Sequence, residues 1–367
     1  MSLKCGIIGL TNVGKTTIFN CISKTKADVT NFAFSNNTSN IGVIDVPDSR
    51  LNELDKIVHS AKIVPATVEI VDLPGLAKGA SKGEGFGNKF LAEVQQTDAL
   101  IHVLRCFDDP NLPHVEGSVD PVRDIELVDF ELQVRDLELV ERKIQRLEKA
   151  FKSAGDKDAK QGIDVLEKYQ ETLSNFGNAR DVVTSPELYD KYVKDLLLLT
   201  DKKVMYVCNV DEDSAVNGNK YSDAVKESLK DKDALVLIVA GKLESEIAEF
   251  DSEEDRDLFL HEAGLTEPGV NRMIRGAYDM LNLMSFFTAG PKEVRAWTIH
   301  KGMTAPEAAG VIHSDLERGF IRAEVLKYKD MVELGSEAAC KDKGKLFVEG
   351  KTYVVEDGDI LNIRFNV

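Results

Sequence analysis

Residues 9–17 read Gly-Leu-Thr-Asn-Val-Gly-Lys-Thr-Thr and match the phosphate-loop pattern G-x-x-x-x-G-K-[ST]. The apolar run at residues 5–8 is typical of a strand, and residues 16–22 predict the first turns of a helix. Backbone N–H groups at such a turn can surround a phosphate, and the helix dipole favours its negative charge. The stretch therefore predicts a nucleoside triphosphate site in an α/β fold rather than a chance glycine turn.

This loop supplies most of the expected phosphate contacts. Lys15 is predicted to reach the β- and γ-phosphates, and the Thr16 hydroxyl is predicted to ligate Mg²⁺. The other contacts are expected from backbone N–H groups that wrap the phosphates. The loop residues predicted to bind the nucleotide are Asn12, Val13, Gly14, Lys15, Thr16 and Thr17.

Composition limits the classes of protein to consider. The 367 residues suffice for two or three domains, and they contain no signal-peptide pattern and no apolar run near the ~20 residues of a membrane span. The five cysteines have neither disulfide nor metal-ligand spacing, and Cys5, Cys106 and Cys208 lie in apolar runs. We therefore expect a soluble, cytoplasmic protein without membrane association, in which these three thiols are buried.

Charge is unevenly distributed along the chain. The net charge is −17, which argues against a protein that coats nucleic acid in general. Residues 283–367 carry 12 Lys/Arg and 13 Asp/Glu, a net of −1, so −16 lies on residues 1–282. If any part of the chain approaches RNA, the C-terminal part faces the smaller electrostatic penalty.

Short apolar runs alternate with helical patterns over most of the N-terminal part. Several runs are continuously apolar, as expected of strands buried on both faces of a mostly parallel sheet. The phosphate loop follows the first run, as in doubly wound α/β folds. The predicted strands are residues 3–8, 42–46, 67–72, 99–107, 203–209 and 234–240.

Between residues 124 and 200 a helical pattern interrupts this alternation. Residues 154–158 read Ala-Gly-Asp-Lys-Asp and predict a turn, so the flanking patterns predict an inserted α-helical hairpin. We interpret its apolar stripes as the packing surface between the two helices, the alternative being that its charged outer faces bind a partner. The stripe residues are Leu137, Val140, Ile144, Leu147 and Phe151, then Ile163, Leu166, Tyr169 and Leu173.

From about residue 283 the pattern changes to short strands around one helix, which is typical of a small α+β domain of the β-grasp type. The predicted strands lie within 291–299, 320–325, 346–347, 353–355 and 360–365, and the predicted helix is 305–316. The predicted domains are a nucleotide-binding domain (1–123 with 201–282), the hairpin domain (124–200) and the C-terminal domain (283–367).

Further parts of a nucleotide site follow in order. Residues 72–75 read Asp-Leu-Pro-Gly and match D-x-x-G. Asp72 is predicted to hold Mg²⁺ through a water, and the Gly75 N–H is predicted to meet the γ-phosphate. Four glycines within residues 78–88 predict a segment that moves between nucleotide states, with a loop that has no switching role as the alternative.

Base recognition is predicted at residues 209–212, which read Asn-Val-Asp-Glu where GTPases have N-K-x-D. Glu212 is one methylene longer than the aspartate that accepts two hydrogen bonds from guanine, and Val210 replaces the lysine that packs on the base. A carboxylate displaced from this position costs guanine binding on the order of 1–3 kcal/mol of free energy, whereas adenine does not use these two hydrogen bonds. Asn209, Val210 and Glu212 are thus predicted to favour ATP over GTP.

At this point the chain resembles the Obg-like ATPases of the YchF subfamily, a branch of the Obg-related P-loop GTPases. The resemblance extends over nearly the whole length and is most specific at residues 79–85, 102–107, 209–212 and 287–298. It implies a G-domain, an inserted helical hairpin and a C-terminal TGS domain. It also implies ATP preferred over GTP, slow hydrolysis, and association with ribosomes. We expect a monomer that does not bind DNA, and the TGS domain as the part that would contact rRNA.

The expected hydrolysis machinery is unusual. Ras-type enzymes orient the attacking water with a glutamine after D-x-x-G, and Leu76 stands there instead. The resemblance points to His114 as catalytic, and a neutral imidazole can accept a proton or orient a water near pH 7. Lys15 of the phosphate loop, which is predicted to reach the β- and γ-phosphates, is the second predicted catalytic residue. Without the resemblance, a solvated and idle loop histidine is the alternative. His102 lies within a predicted strand and is expected to be structural.

Two further positions concern cations. Asn12 matches the asparagine with which related GTPases hold K⁺ beside the phosphates, although a tight turn also accounts for it. In the first switch the family's Mg²⁺-ligating threonine is replaced by Asn36, whose carbonyl oxygen is a candidate ligand, and Thr38 is an alternative. This departure leaves three hypotheses: a ribosome-associated ATPase switch, a GTPase of the same fold, and a nucleotide-gated binding module with vestigial hydrolysis.

Overall fold

The computed structural model describes residues 3–23, 40–76, 86–250 and 252–366. The strands are β1 (Lys4–Ile8), β2 (Asn40–Asp45), β3 (Ile63–Val64), β4 (Thr67–Asp72), β5 (Ala99–Cys106), β6 (Lys203–Val210), β7 (Leu235–Val239), β8 (Leu283–Ala289), β9 (Val294–His300), β10 (Phe320–Lys327), β11 (Phe347–Glu349) and β12 (Asp359–Phe365). The helices are α1 (Lys15–Ile22), α2 (Arg50–Val58), α3 (Phe86–Gln95), α4 (Pro121–Ala154), α5 (Lys157–Ser174), α6 (Pro186–Tyr192), α7 (Lys220–Ser228), α8 (Gly241–Ile247), α9 (Glu253–Glu262), α10 (Gly269–Met280), α11 (Ala305–Ile312), α12 (Ser314–Arg318), α13 (Tyr328–Leu334) and α14 (Glu337–Asp342).

The N-terminal sheet has the strand order β2-β4-β1-β5-β6-β7. β1 pairs in parallel with β4 and β5, and β5, β6 and β7 continue the parallel pairing. All eight residues of β5 are buried, which explains why its sequence is apolar apart from His102 and Arg105. The predicted doubly wound fold is confirmed. Its parallel strands bring the ends of β1, β4, β5 and β6 to one edge of the sheet, where such folds bind ligands.

The predicted helical hairpin is also present, in α4 and α5. The Asp120 carboxylate accepts a hydrogen bond from the Arg123 N–H at the start of α4, and Gly155 ends that helix at φ 63°. The stripe residues pack together as predicted, with one exception. Phe151 is 38% exposed, because Leu147 already packs against Gly162 and Phe151 lies one turn further on, beside the exposed turn at residues 155–158.

The C-terminal sheet has the order β11-β10-β12-β8-β9-β3. An antiparallel hairpin of β8 and β9, the helix α11, and β12 parallel to β8 and antiparallel to β10 together form the predicted β-grasp arrangement. The short strand β3, which the sequence pattern did not predict, extends this sheet in parallel to β9.

Two C-terminal predictions were wrong in detail. Residues 353–355 form only an isolated antiparallel bridge, between Val354 and Thr304, and not a longer strand. The Ala305 N–H donates to the Tyr353 carbonyl and the Val355 N–H donates to the Met303 carbonyl, so the segment pairs with the residues that begin α11. The predicted helix 305–316 is broken at His313, whose extended backbone separates α11 from α12 and whose Nδ1 accepts from the Asp315 N–H.

Contacts divide the chain into two compact units. One comprises Met1–Gly42 and Glu69–Met273, and the other comprises Val43–Val68 and Ile274–Val367. The second unit therefore contains α2 and β3 from the N-terminal half of the sequence. The three domain boundaries expected above stay a prediction.

Two compositional expectations concern the thiols and membrane spans. Cys5, Cys106 and Cys208 are buried, as predicted, and all five cysteines are free thiols. Within the described ranges, no helix combines the length and the apolar character that crossing a membrane requires.

Candidate nucleotide-binding site

The phosphate loop links β1 to α1 through a backbone that only certain residues can adopt. Gly9 and Gly14 have φ of 144° and 95°. A Cβ on Gly9 would lie 2.5 Å from the Val103 oxygen, and one on Gly14 would lie 2.2 Å from Nδ2 of Asn209. The two glycines of the motif are thus required by both conformation and space.

Lys15 is held inside this loop. Its Nζ donates to the Leu10 carbonyl oxygen at 2.7 Å, and the residue is 7% exposed. Burial lowers the pKa of Lys15 to about 8, while the Asp72 carboxylate acts in the opposite direction. The ammonium is therefore poorly compensated in the free protein, and a phosphate would compensate it.

Thr16 and Asp72 meet beside the lysine. The Thr16 hydroxyl donates to Oδ2 of Asp72 at 2.9 Å. Oδ1 of Asp72 is buried and has no partner at hydrogen-bonding distance among the described residues. Burial raises the pKa of this carboxyl, and the Lys15 charge and the Thr16 and Asn40 side chains act in the opposite direction. A hydroxyl next to a buried, unsatisfied carboxylate oxygen is a donor set suited to Mg²⁺.

The D-x-x-G turn packs directly against the phosphate loop. The Leu76 N–H donates to the Gly9 carbonyl at 3.1 Å, and Leu76 is 2% exposed. A Cβ on Gly75 would lie 2.7 Å from Cγ2 of Thr11 and 3.3 Å from Nζ of Lys15. Gly75 thus lies next to the lysine, and contact of its N–H with a γ-phosphate stays a prediction, whereas Leu76 is buried and has no polar side-chain group.

Asn209 connects three segments of the site. Its Nδ2 donates to the Val13 carbonyl at 2.9 Å, and its Oδ1 accepts from the Gly241 N–H at 2.9 Å. Val210 is 3% exposed within the core of the sheet, and its contact with a base stays a prediction. The structure thus places Asn209 at the junction of the phosphate loop and the start of α8.

Glu212 has a partner that the sequence analysis did not identify. Its Oε1 lies 2.5 Å from Nζ of Lys242, in the first turn of α8, and the two side chains are 42% and 77% exposed. Gly241 and Lys242 follow β7, and residues that follow parallel strands tend to lie near the ligand in such folds. This position in the sequence could have indicated that Lys242 lies near the predicted base-recognition residues.

His114 lies in the loop after β5, and its side chain is 3% exposed. Its Nε2 lies 3.0 Å from Oδ2 of Asp124, and its Nδ1 accepts from the Glu116 N–H at 3.1 Å. A neutral ring therefore carries its proton on Nε2 and donates it to Asp124. Both ring nitrogens are occupied, so His114 would have to leave Asp124 before it could act on a water.

Two other predicted residues have clear positions. Nδ2 of Asn12 donates to the Pro113 carbonyl at 3.3 Å and so connects the phosphate loop to the loop that carries His114. His102 is 1% exposed within β5, and burial, with Lys15 adding to it, lowers the pKa of His102 to about 3, so its ring is neutral.

Thr17 lies in the first turn of α1. Asn36, Thr38 and most of the glycine-rich segment lie outside the described residues.

Comparison with known proteins relates the whole chain to one group. A family model described as 50S ribosome-binding GTPase matches residues 4–168, and one described as YchF-GTPase_C, a protein of unknown function, matches residues 283–366. Ribosome-binding ATPase YchF of Haemophilus ducreyi is 49% identical over 368 residues, covering 100% of both chains. Obg-like ATPase 1 of Pongo abelii is 42% identical, covering 100% of this chain and 93% of its own.

A solved structure agrees with these relatives. The YchF GTPase of Schizosaccharomyces pombe superposes with a TM-score of 0.86 and 34% identity, over 99% of this chain and 98% of the other. The similarity therefore includes the N-terminal sheet, the helical hairpin and the C-terminal β-grasp sheet.

Proposed function

Because the chain belongs to the YchF family of P-loop nucleoside triphosphatases, we propose that it is an ATP-binding and slowly ATP-hydrolysing switch that associates with ribosomes. The observation that carries the proposal is the grouping of Lys15 and Thr16 of the phosphate loop with Asp72 at the end of β4, at one edge of the sheet. The Haemophilus ducreyi relative is described as a ribosome-binding ATPase, the Pongo abelii relative as an Obg-like ATPase, and the Schizosaccharomyces pombe relative as a GTPase.

Binding would use residues that are already in place. Lys15 would exchange the Leu10 carbonyl for the β- and γ-phosphates, which restores the full charge of its ammonium. The Thr16 hydroxyl and Asp72 would hold Mg²⁺, which neutralises charge on the transferred phosphoryl group when bound. The Gly75 N–H would contact the γ-phosphate, and the N–H groups at residues 12–17 would surround the others.

A preference for ATP is supported by the pairing of Glu212 with Lys242. Guanine recognition needs a free carboxylate fork, and one oxygen of Glu212 is already occupied by the Lys242 ammonium. Guanine would have to displace this ammonium, whereas adenine, which lacks the N1–H donor, has no use for the fork. Asn209 completes the proposed base site, together with Val210, which stands where GTPases have the lysine that packs on the base.

Slow hydrolysis is supported by what surrounds the γ-phosphate position. Leu76 cannot orient a water, and His114 is bound to Asp124. We propose that His114 becomes catalytic after it leaves Asp124, and that K⁺ held by Asn12 contributes once the Asn12 bond to Pro113 opens. Asn36 is the proposed additional Mg²⁺ ligand in the first switch.

The proposed partner is the ribosome, and the proposed point of RNA contact is the C-terminal β-grasp domain. Residues 283–367 carry a net charge of −1, against −16 for the rest of the chain, so rRNA would meet least repulsion there. A monomer without DNA binding is the form we propose, located in the cytoplasm with the ribosomes.

Calorimetric titration with ATP and with GTP, in the presence of Mg²⁺ and K⁺, tests the nucleotide assignment. ATP is expected to bind at least about tenfold more tightly, roughly 1.4 kcal/mol. Equal or tighter GTP binding would replace the proposal with a GTPase of the same fold. Co-sedimentation with purified ribosomes at low and moderate salt tests the partner, and absence from the ribosomal pellet in every nucleotide state would contradict it.

A second candidate is a nucleotide-gated binding module with vestigial hydrolysis. The observation in its favour is that both nitrogens of His114 are occupied while Leu76 fills the water-positioning site. Replacement of His114 by Ala separates the two candidates. A loss of hydrolysis with retained ATP binding supports the enzyme, and an unchanged basal rate supports the module.

A further inference from the structure

A surface cavity of about 480 Å³ lies at the base of the helical hairpin, beside the first turns of α4 and the segment after α5. Two phenylalanines line it, Phe130 from α4 and Phe176 from the end of α5, with ring centroids 6.1 Å apart. They are 42% and 73% exposed, although phenylalanine is among the residues most often buried. The two rings thus form an exposed apolar surface next to a cavity.

Phe176 occupies a backbone position that disfavours any side chain. Its φ is 61°, in the left-handed region. Its N–H donates to the Leu173 carbonyl and the Gly177 N–H donates to the Thr172 carbonyl, which is the helix-ending arrangement that normally has glycine at this position. A strained position that carries an exposed aromatic ring indicates a role outside the fold.

A hydrogen-bond network fixes the backbone that carries the Phe176 ring. Nε2 of Gln133, from α4, donates to the Phe176 carbonyl at 3.1 Å and to Oδ1 of Asn178 at 2.9 Å. Nδ2 of Asn178 in turn donates to Oδ2 of Asp129, which lines the cavity. The backbone on which Phe176 is carried is therefore held in place before any partner arrives, which reduces the entropic cost of binding.

The charged residues that line the cavity indicate the chemistry of the partner. Three carboxylates (Glu126, Asp129 and Asp181) and two cations (Lys232 and Arg123) line it. Arg123 is bound to the Asp124 carboxylate, and the charges of Arg180 and Lys232 act on Asp129, so Glu126 and Asp181 carry the excess negative charge. The cavity also belongs to residues 1–282, which carry a net charge of −16 and would repel RNA. Exposed aromatic rings beside carboxylates match a protein segment that presents an apolar side chain next to lysine or arginine.

We propose that the docking surface formed by Phe130, Phe176 and the adjoining cavity binds a basic segment of a ribosomal protein, which inserts an apolar side chain between the rings and the acidic lining. This inference rests on the ribosome association proposed above and adds the point of contact and the chemistry of the partner. It assigns protein contacts to the base of the hairpin and leaves RNA contact to the C-terminal sheet.

Site-specific photo-crosslinking in the full-length protein tests the contact. Phe176 and Phe130 are each replaced by p-benzoylphenylalanine, which keeps an aromatic ring, and irradiated with purified ribosomes and ATP-Mg²⁺. The matched control is the same replacement of Phe250, which is 38% exposed and also pairs with another ring, Phe259. Adducts to a ribosomal protein from positions 130 and 176, and not from 250, are expected.

The other outcomes are distinct. Adducts to rRNA, or no adduct from a variant that still co-sediments, would overturn the docking surface and leave ribosome association standing. If the unsubstituted protein does not co-sediment with ribosomes, the ribosome association proposed above fails together with this inference.

Phe176→Gly separates binding from folding, because glycine relieves the left-handed backbone. The thermal unfolding midpoint is expected to stay or rise, ATP affinity is expected to be unchanged, and ribosome affinity is expected to fall at least about fivefold, as for loss of one aromatic anchor. Phe130→Leu should reduce ribosome affinity in the same direction. A lower unfolding midpoint for Phe176→Gly with undiminished ribosome binding would show that the ring serves the fold and would overturn the proposal.

Discussion

The phosphate loop after β1 and the loop after β5 that carries His114 lie at the same edge of the N-terminal sheet, but their polar groups are arranged differently. Lys15 and Asp72 are buried, Thr16 lies half-buried beside them, and Oδ1 of Asp72 accepts no bond among the described residues, so a phosphate and Mg²⁺ would improve their interactions. His114 is buried and fully satisfied by Asp124 and the Glu116 N–H. The arrangement as it stands therefore suits the proposed binding of a phosphate, whereas the proposed catalytic role of His114 requires its bond to Asp124 to break first.

Lys15→Ala is the most severe test of the binding half of this comparison. It removes a buried ammonium that would contact two phosphates, and we expect ATP affinity to fall on the order of 100-fold, roughly 3 kcal/mol. Calorimetric titration measures this loss, with circular dichroism as a control for folding. Retention of most of the affinity would mean that the phosphate site has been placed wrongly.

The pH dependence of binding tests the same lysine without a mutation. With its pKa lowered to about 8, Lys15 is mostly protonated at pH 7 and mostly neutral at pH 9. Since phosphate binding needs the charged form, ATP affinity is expected to fall about tenfold between these pH values. Lys15→Arg should remove the dependence from any binding that remains.

Glu244 is the necessary control for this pH series. Burial raises the pKa of Glu244, near the base end of the site, to about 7, so it ionises over the same range. Glu244→Gln should leave the fall in affinity intact. If the fall disappears in that variant, the pH dependence belongs to Glu244 and the assignment to Lys15 is wrong.

Asp124→Asn tests the catalytic half of the comparison. It replaces the charge-assisted bond that holds His114 by a weaker neutral one, and we expect single-turnover ATP hydrolysis to rise about fivefold, roughly 1 kcal/mol, with ATP affinity unchanged. His114→Ala in the same background should cancel the rise. A slower rate in Asp124→Asn would show that Asp124 orients His114 for catalysis instead of withholding it.

Lys242→Met extends the comparison to the base end and has the smallest expected effect. The methionine keeps the aliphatic length and frees the Glu212 carboxylate, so GTP affinity is expected to rise about threefold, within the range for exposed ion pairs. ATP affinity should change less. The double variant with Glu212→Gln should lose the gain, and an unchanged ratio of ATP to GTP affinity in Lys242→Met would exclude Lys242 from base selection.

Local patterns were sufficient for much of the fold. The phosphate loop was recognisable because Gly9, Gly14 and Lys15 meet backbone and charge requirements within nine residues. The sheet strands were recognisable because continuous apolar runs are buried on both faces. The hairpin was recognisable from the 3.6-residue period of its apolar residues. Phe151 is the exception, because the pattern does not show that this last turn of α4 lies beyond its packing contact with α5.

Contacts between distant parts of the sequence were not predictable in this way. The strand β3 joins a sheet whose other strands begin more than 200 residues later, and its two residues carry no pattern of their own. The fold likewise determines two polar contacts, the ion pair of Glu212 with Lys242 and the hydrogen bond of His114 to Asp124. The sequence identified Glu212 and His114 as candidates but did not show that each already has a hydrogen-bonding or ion-pair partner.

Asn209 gives the nucleotide site a consequence for protein engineering. One amide side chain hydrogen-bonds both the Val13 carbonyl of the phosphate loop and the Gly241 N–H at the start of α8. The proposed phosphate site and the proposed base site therefore depend on the same residue for their relative position. A designer who wishes to retarget the protein to another nucleotide should keep Asn209 and diversify residues 210, 212 and 242. Libraries that vary Asn209 would lose phosphate binding before any new base preference could be selected.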